Sequence, residues 1–137
     1  MDMDAALAIS ADGMQAQTTR LRVIAENLAN QDTTGGAPGA APYRRQTVTF
    51  GEQMDSTLGA ETVDVQKIGS DPTPFPQRYD PSNPAANAQG YVQMPNVNSF
   101  VEVMDMREAE RSYQANLGVM QTTRGMLTRT IEMLKTS

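Results

Sequence analysis

Two stretches of strict seven-residue apolar spacing, one at each end of the chain and parted by a middle rich in proline and glycine, dictate most of what this sequence can fold into. Leu7, Met14, Leu21 and Leu28 recur at that interval, in a run from about Met3 to Asn30 that holds no proline and only one glycine, Gly13. Met106, Tyr113, Met120, Leu127 and Leu134 repeat the interval near the other end, with Leu117 and Ile131 in the partner column. An apolar residue every seven positions keeps one edge of an α-helix turned toward a partner helix. Ser10, Gln17 and Ile24, with Ala11, Thr18 and Ala25, flank the first seam, so the stripe is narrow and suits helix-to-helix contact more than a broad core face. Glu110 and Arg124 interrupt the column shared by Val103, Leu117 and Ile131. Polar residues in such a column select register or partner.

The punctuation divides the chain into an N-terminal helix at 1–30, a loop-rich β segment at 31–94 and a C-terminal helix at 95–137. Asn30 to Gly36 collects residues that favour turns or tolerate left-handed backbone, which ends the first helix near Asn30. Gly36 to Pro42 has too little side-chain bulk to form a core. Tyr43 to Phe50 and Thr62 to Ile68 are β-favouring runs, and Gly90 to Met94 is a candidate last strand. The second helix starts near Pro95-Asn96, with Asn96, Asn98 or Ser99 as its cap and Glu102 near the positive end. The expected fold is mainly α with a small β element. The two terminal helices pack as one helical domain, unless neighbouring chains bury what an intrachain hairpin leaves exposed.

Composition points to the second arrangement. Aromatics are 5% of the chain, Trp is absent and the mean hydropathy is -0.48, so there are few large anchors for a self-sufficient core. Ten Met supply flexible apolar surface that fits irregular seams. The formal charge of -5 leaves no basic surplus for a phosphate backbone, which argues against nucleic acid. With neither His nor Cys, zinc sites of the usual kind, thiol nucleophiles and His-based acid–base catalysis are excluded together. Met1-Asp2-Met3-Asp4 is acidic where a signal peptide is basic, and no apolar run reaches the length of a membrane span. Neither a cleaved signal peptide nor direct membrane insertion is expected.

Candidate chemistry is thin. Glu102, Asp105, Glu108 and Glu110 could supply paired carboxylates, but Arg107 and Arg111 interleave with them as on a solvated or interfacial charged face. Asp71, Asp80 and Asn83 sit among prolines as turn residues and lack the closing Glu of a calcium loop. Arg44-Arg45 suits a local salt bridge. No phosphate loop, dinucleotide fingerprint or nucleophile elbow is present. The reading is a protein without catalytic residues, cofactor or metal.

Asn27-Leu28-Ala29-Asn30 followed by Thr33-Thr34-Gly35 resembles the N-terminal signature of the flagellar rod and hook family. Further matches follow in order: Pro42-Tyr43-Arg44-Arg45, Tyr79-Asp80-Pro81, Pro84, Gly90-Tyr91-Val92, Met94-Pro95-Asn96-Val97-Asn98 and Arg111-Ser112-Tyr113-Gln114-Ala115-Asn116. These are similar to the proximal-rod members and cover the whole chain. The loop between Thr34 and Tyr43 favours them over distal rod and hook proteins, while its Ala/Gly-rich content at Gly35 to Ala41 is particular to this sequence.

The resemblance implies a structural subunit of the proximal rod, exported by the flagellar type III apparatus and carrying torque across the periplasm. It implies terminal helices forming a coiled-coil-like inner layer of the D0 type, with the middle segment packed outward. It also implies partners among copies of itself and rod proteins of the FlgB, FlgF, FlgG and FliE types. The alternative from another class is a soluble helical adaptor or chaperone-like module that folds alone.

Overall fold

The computed structural model describes residues 3–56 and 58–136, and among these it contains two long helices and two small sheets. Helix α1 spans Met3–Ala29 and helix α2 spans Ser99–Thr136. Strands β1 (Gln46–Asp55) and β2 (Ala60–Ser70) form one two-stranded sheet, and β3 (Gln77–Tyr79) and β4 (Tyr91–Gln93) form the other.

The end of α1 and the start of α2 fall where backbone groups find side-chain partners. Asn30 closes α1: its amide Nδ2 donates to the Glu26 carbonyl at 2.8 Å, satisfying an acceptor the last turn would leave open. Asn98 caps α2, its Oδ1 accepting from Phe100 N at 3.0 Å and Val101 N at 3.3 Å. The second helix therefore starts at Ser99, four residues later than Pro95, and Asn96 is used elsewhere. Replacing Asn98 by Ala should cost about 1 kcal/mol, the usual worth of such a cap, read as a lowered urea midpoint.

Chain contacts gather the residues into two compact units. One takes in residues 1–21, 49–67 and 107–137. Here the α1 and α2 segments run antiparallel, since Gly13 lies against Asn116 and Arg20 Nη2 reaches Glu108 Oε2 at 3.4 Å. A Cβ on Gly13 would come within 2.8 Å of the Asn116 side-chain amide, so the single glycine of the first helix makes room for that side chain. Its buried residues are small or polar: Ser10, Ala16, Thr62, Ala109 and Thr123.

The other unit takes in residues 22–48 and 68–106. Its apolar centre joins Ala85, Val92 and Met94, with Ala86 against them. Strands β3 and β4 pair antiparallel, Gln77 with Gln93, Arg78 with Val92 and Tyr79 with Tyr91. The rings of Tyr79 and Tyr91 meet edge to face at 5.4 Å. Gly90 turns the chain with φ at 83°, where a Cβ would also strike the Tyr79 ring at 2.9 Å. Val23 and Ile24 of α1 are buried here too.

Candidate assembly interface

The seven-residue seams lie half exposed. Leu7, Met14, Leu21 and Leu28 on α1, and Met106, Tyr113, Leu117, Met120 and Leu127 on α2, are each partly covered, while Ile131 and Leu134 keep 45% and 74% of their surface in solvent. The deepest helix positions lie beside the seams: Ser10, Ala16, Val23, Ile24 and Asn27 on α1, and Glu102, Ala109 and Thr123 on α2. Small residues let two helix backbones draw together, which leaves bulkier neighbours at the margin. The sequence pattern marks the apolar edge, and this closer line was missed because Ser, Ala and Thr carry little periodic signal.

The most concentrated polar chemistry lies in the unit of residues 22–48 and 68–106. Asn27 is 1% exposed and makes four side-chain hydrogen bonds. Its Nδ2 donates to the Gln46 carbonyl at 2.9 Å and to Glu102 Oε2 at 3.3 Å. Its Oδ1 accepts from the Tyr43 hydroxyl at 2.8 Å and from Gln46 N at 2.9 Å. All four polar valences of the amide facing this loop and helix are thus filled.

Glu102 is fully buried, with a side chain 0% exposed, and Arg45 answers its charge through Nε. The same guanidinium reaches Asp71 Oδ2 and Asp105 Oδ2, each at 3.4 Å. Burial works against the Arg45 charge, but hydrogen bonds and attraction from Glu102 and Asp71 outweigh it and raise the guanidinium pKa. The Thr73 hydroxyl and amide hold the Asp71 carboxyl below its ordinary value, and Arg45 adds to this. Burial pushes the Tyr43 phenol up, as do the charges of Glu26 and Glu102.

Around this centre the motif residues close a frame. Arg44 Nη1 donates to the carbonyls of Asp71 and Thr73, and its guanidinium stacks 4.1 Å from the Phe75 ring centre. Asn96 donates to the same two carbonyls and accepts from Arg45 N at 2.8 Å. Pro42 and Pro95 are buried, and Gly90 is buried in its turn. Asp80 accepts from the Ser82 hydroxyl as a turn residue, with its own N bound to Gly90 O at 2.9 Å. Tyr79, Pro81, Tyr91 and Gln114 are exposed, and Ser112 is half-buried.

Two expectations are corrected. Glu102 is the buried acceptor of an ion-pair cluster, not part of a solvated charged face. Arg44 and Arg45 do more than one local salt bridge, each tying together segments far apart in sequence. The warning signal was available: a carboxylate in the first turn of a capped helix, with two arginines after a loop, gives a buried anion both a dipole and a cation.

Elsewhere, an open cleft of about 510 Å³ in the unit of residues 1–21, 49–67 and 107–137 has Asp12, Asp55 and Asp64 among its lining residues, and no cluster of carboxylates suited to a metal ion is found among the described residues. No helix among the described residues is long and apolar enough to cross a membrane.

Comparison with known proteins places this geometry in context. Residues 7–35 match the family described as "Flagella basal body rod protein", and residues 88–133 match "Flagellar basal body rod FlgEFG protein C-terminal". The chain is 52% identical to the flagellar basal-body rod protein FlgC of Agrobacterium fabrum over 98% of its length and 97% of the relative's. It is 40% identical to that of Bacillus subtilis, covering 94% and 96% of the two chains. With that of Salmonella typhimurium it shares 40% identity, over 91% and 92%.

Proposed function

The chain belongs to the FlgC family of flagellar basal-body rod proteins, and from that premise we propose that α1 and α2 are the surfaces through which this structural subunit is built into the proximal rod. It is a rod component and not an enzyme, and it assembles with other rod components. In our reading the two helices form a coiled-coil-like inner layer of the D0 type, and the segment of residues 31–94 packs outward against neighbours. Export proceeds through the flagellar type III apparatus. The finished subunit lies in the periplasmic part of the rod, against copies of itself and proteins of the FlgB, FlgF, FlgG and FliE types.

The observation that carries this reading is the state of the apolar ridges. No Leu among the described residues is buried, and Leu134 stands 74% exposed at the end of α2. Burying one Leu contributes roughly 1.5 to 3 kcal/mol, so a row of half-covered ones is a reserve that a neighbouring chain can use. Stiffness under torque would then come from many close contacts, each weak alone. The adaptor alternative needs helices satisfied within one chain, which this exposure does not favour.

Leu21→Asp and Leu127→Asp test it directly. Each variant should be secreted at normal levels yet be missing from purified basal bodies, with swimming lost. Basal bodies of normal composition from either variant would refute the proposal.

A further inference from the structure

We infer that the Arg45–Glu102–Asn27 cluster sets the register of α1 against α2. Leu7, Met14, Leu21 and Leu28 face one way at a seven-residue interval, and Met106, Tyr113, Met120, Leu127 and Leu134 repeat the same interval. Sliding one helix by seven residues therefore brings apolar residues opposite apolar residues again. The shift along the axis is about 10 Å at 1.5 Å per residue, and the seams alone do not distinguish the two alignments.

What breaks the degeneracy is buried and polar. The column of α2 that contains Glu102 continues through Ala109, Asn116 and Thr123, which repeats no chemistry at all. Glu102, fully buried, lies opposite Asn27, which is 1% exposed, and the two are bonded at 3.3 Å. A seven-residue slip that brings Met106 to the place of Ser99 sets Ala109 against Asn27. It also carries Glu102 away from Arg45, which is held from outside α2, its carbonyl accepting from Asp71 N at 2.9 Å. A buried carboxylate without cation or amide costs several kcal/mol, far more than the seams differ between alignments. Such a cluster adds little net stability over an apolar substitute, and its return is a single alignment. Since assembly needs one fixed set of outward side chains, the cluster serves the rod from inside the subunit.

The test uses the absence of cysteine from the native chain. Gln31 and Ser99 touch through their side chains, so Q31C with S99C reports the observed register. Q31C with M106C reports the alignment slipped by one heptad, since a disulfide needs Cα atoms within about 7 Å. In the otherwise native full-length chain the first pair should close on mild oxidation and the second should not. In the R45M/E102M background the second pair should close to at least a tenth of the first. N27L/E102M, which leaves Arg45 its Asp71 and Asp105 partners, should do the same. Only native-register cross-linking in a variant that keeps its helix content by circular dichroism would overturn the inference. So would loss of helix in both variants, because the cluster would then be required for folding and not for alignment.

Discussion

Arg45→Met is expected to destabilise the chain by about 3–5 kcal/mol, among the largest effects of any single substitution outside an apolar core. The reason is the company Arg45 keeps. Its guanidinium is the cation for Glu102, Asp71 and Asp105, and Glu102 has no surface in solvent. Removing Arg45 leaves a carboxylate in the interior with the Asn27 amide as its one remaining side-chain hydrogen bond among the described residues. Urea unfolding of the purified chain, followed by circular dichroism, should show the midpoint falling sharply. R45K should recover only part, because one ammonium does not fork toward three carboxylates. R45M/E102M should recover most of the loss, since the cost lies in the orphaned charge more than in the missing pair. An unchanged midpoint for R45M would mean that Glu102 has another source of compensation.

Asn27→Asp should cost a similar amount, about 3–5 kcal/mol, without any change of volume. The substitution removes both donors, to Gln46 O and to Glu102, and sets a second carboxylate at 3.3 Å from the first. Asn27→Ala loses all four hydrogen bonds, including the two that an Asp oxygen would still accept from Tyr43 and Gln46 N, but it adds no charge, so it should be milder by about 1 kcal/mol or more. Comparing the two midpoints separates repulsion from lost bonding. Equal midpoints would mean that water or a rearranged loop already screens the pair.

The helices were legible in the sequence because their signals are redundant: apolar spacing, freedom from proline, and turn residues at both ends. The expected limit near Asn30 and the observed end at Ala29 differ by one residue. The start of α2 was less legible, since Asn96 and Asn98 are both able to cap. Local sequence does not say that Asn96 is already bonded to Asp71, Thr73 and Arg45. The first strand begins at Gln46 and not at Tyr43, because Tyr43 to Arg45 spend their side chains on the network around Asn27 and Glu102. Strand β3 at Gln77–Tyr79 was hidden behind Pro72, Pro74 and Pro76, being only three residues long and held by pairing with β4. Above all, pattern reading could flag Glu102, a carboxylate in the first turn of a capped helix, but could not place it. Whether a carboxylate on a helix meets water or an arginine depends on where a loop 57 residues away in sequence returns.

The segment from Gly35 to Ala41 hangs from a closed neck, since Tyr43 N donates to Thr33 O at 3.0 Å. Beyond that neck Gly39 and Ala40 still line a cleft with Gln77, Ala85 and Tyr91, so the near side of the loop, at Gly36, is the part free of the folded frame. Lengthening a flexible excursion is cheap, about 0.6 kcal/mol for each doubling. Gly36 offers the natural splice point, as a side chain there would meet nothing within 4 Å, whereas one at Gly35 would collide with Ala40 O at 2.4 Å. A peptide epitope grafted after Gly36 would ride on the subunit as a flag for labelling, leaving the folded frame beneath it undisturbed.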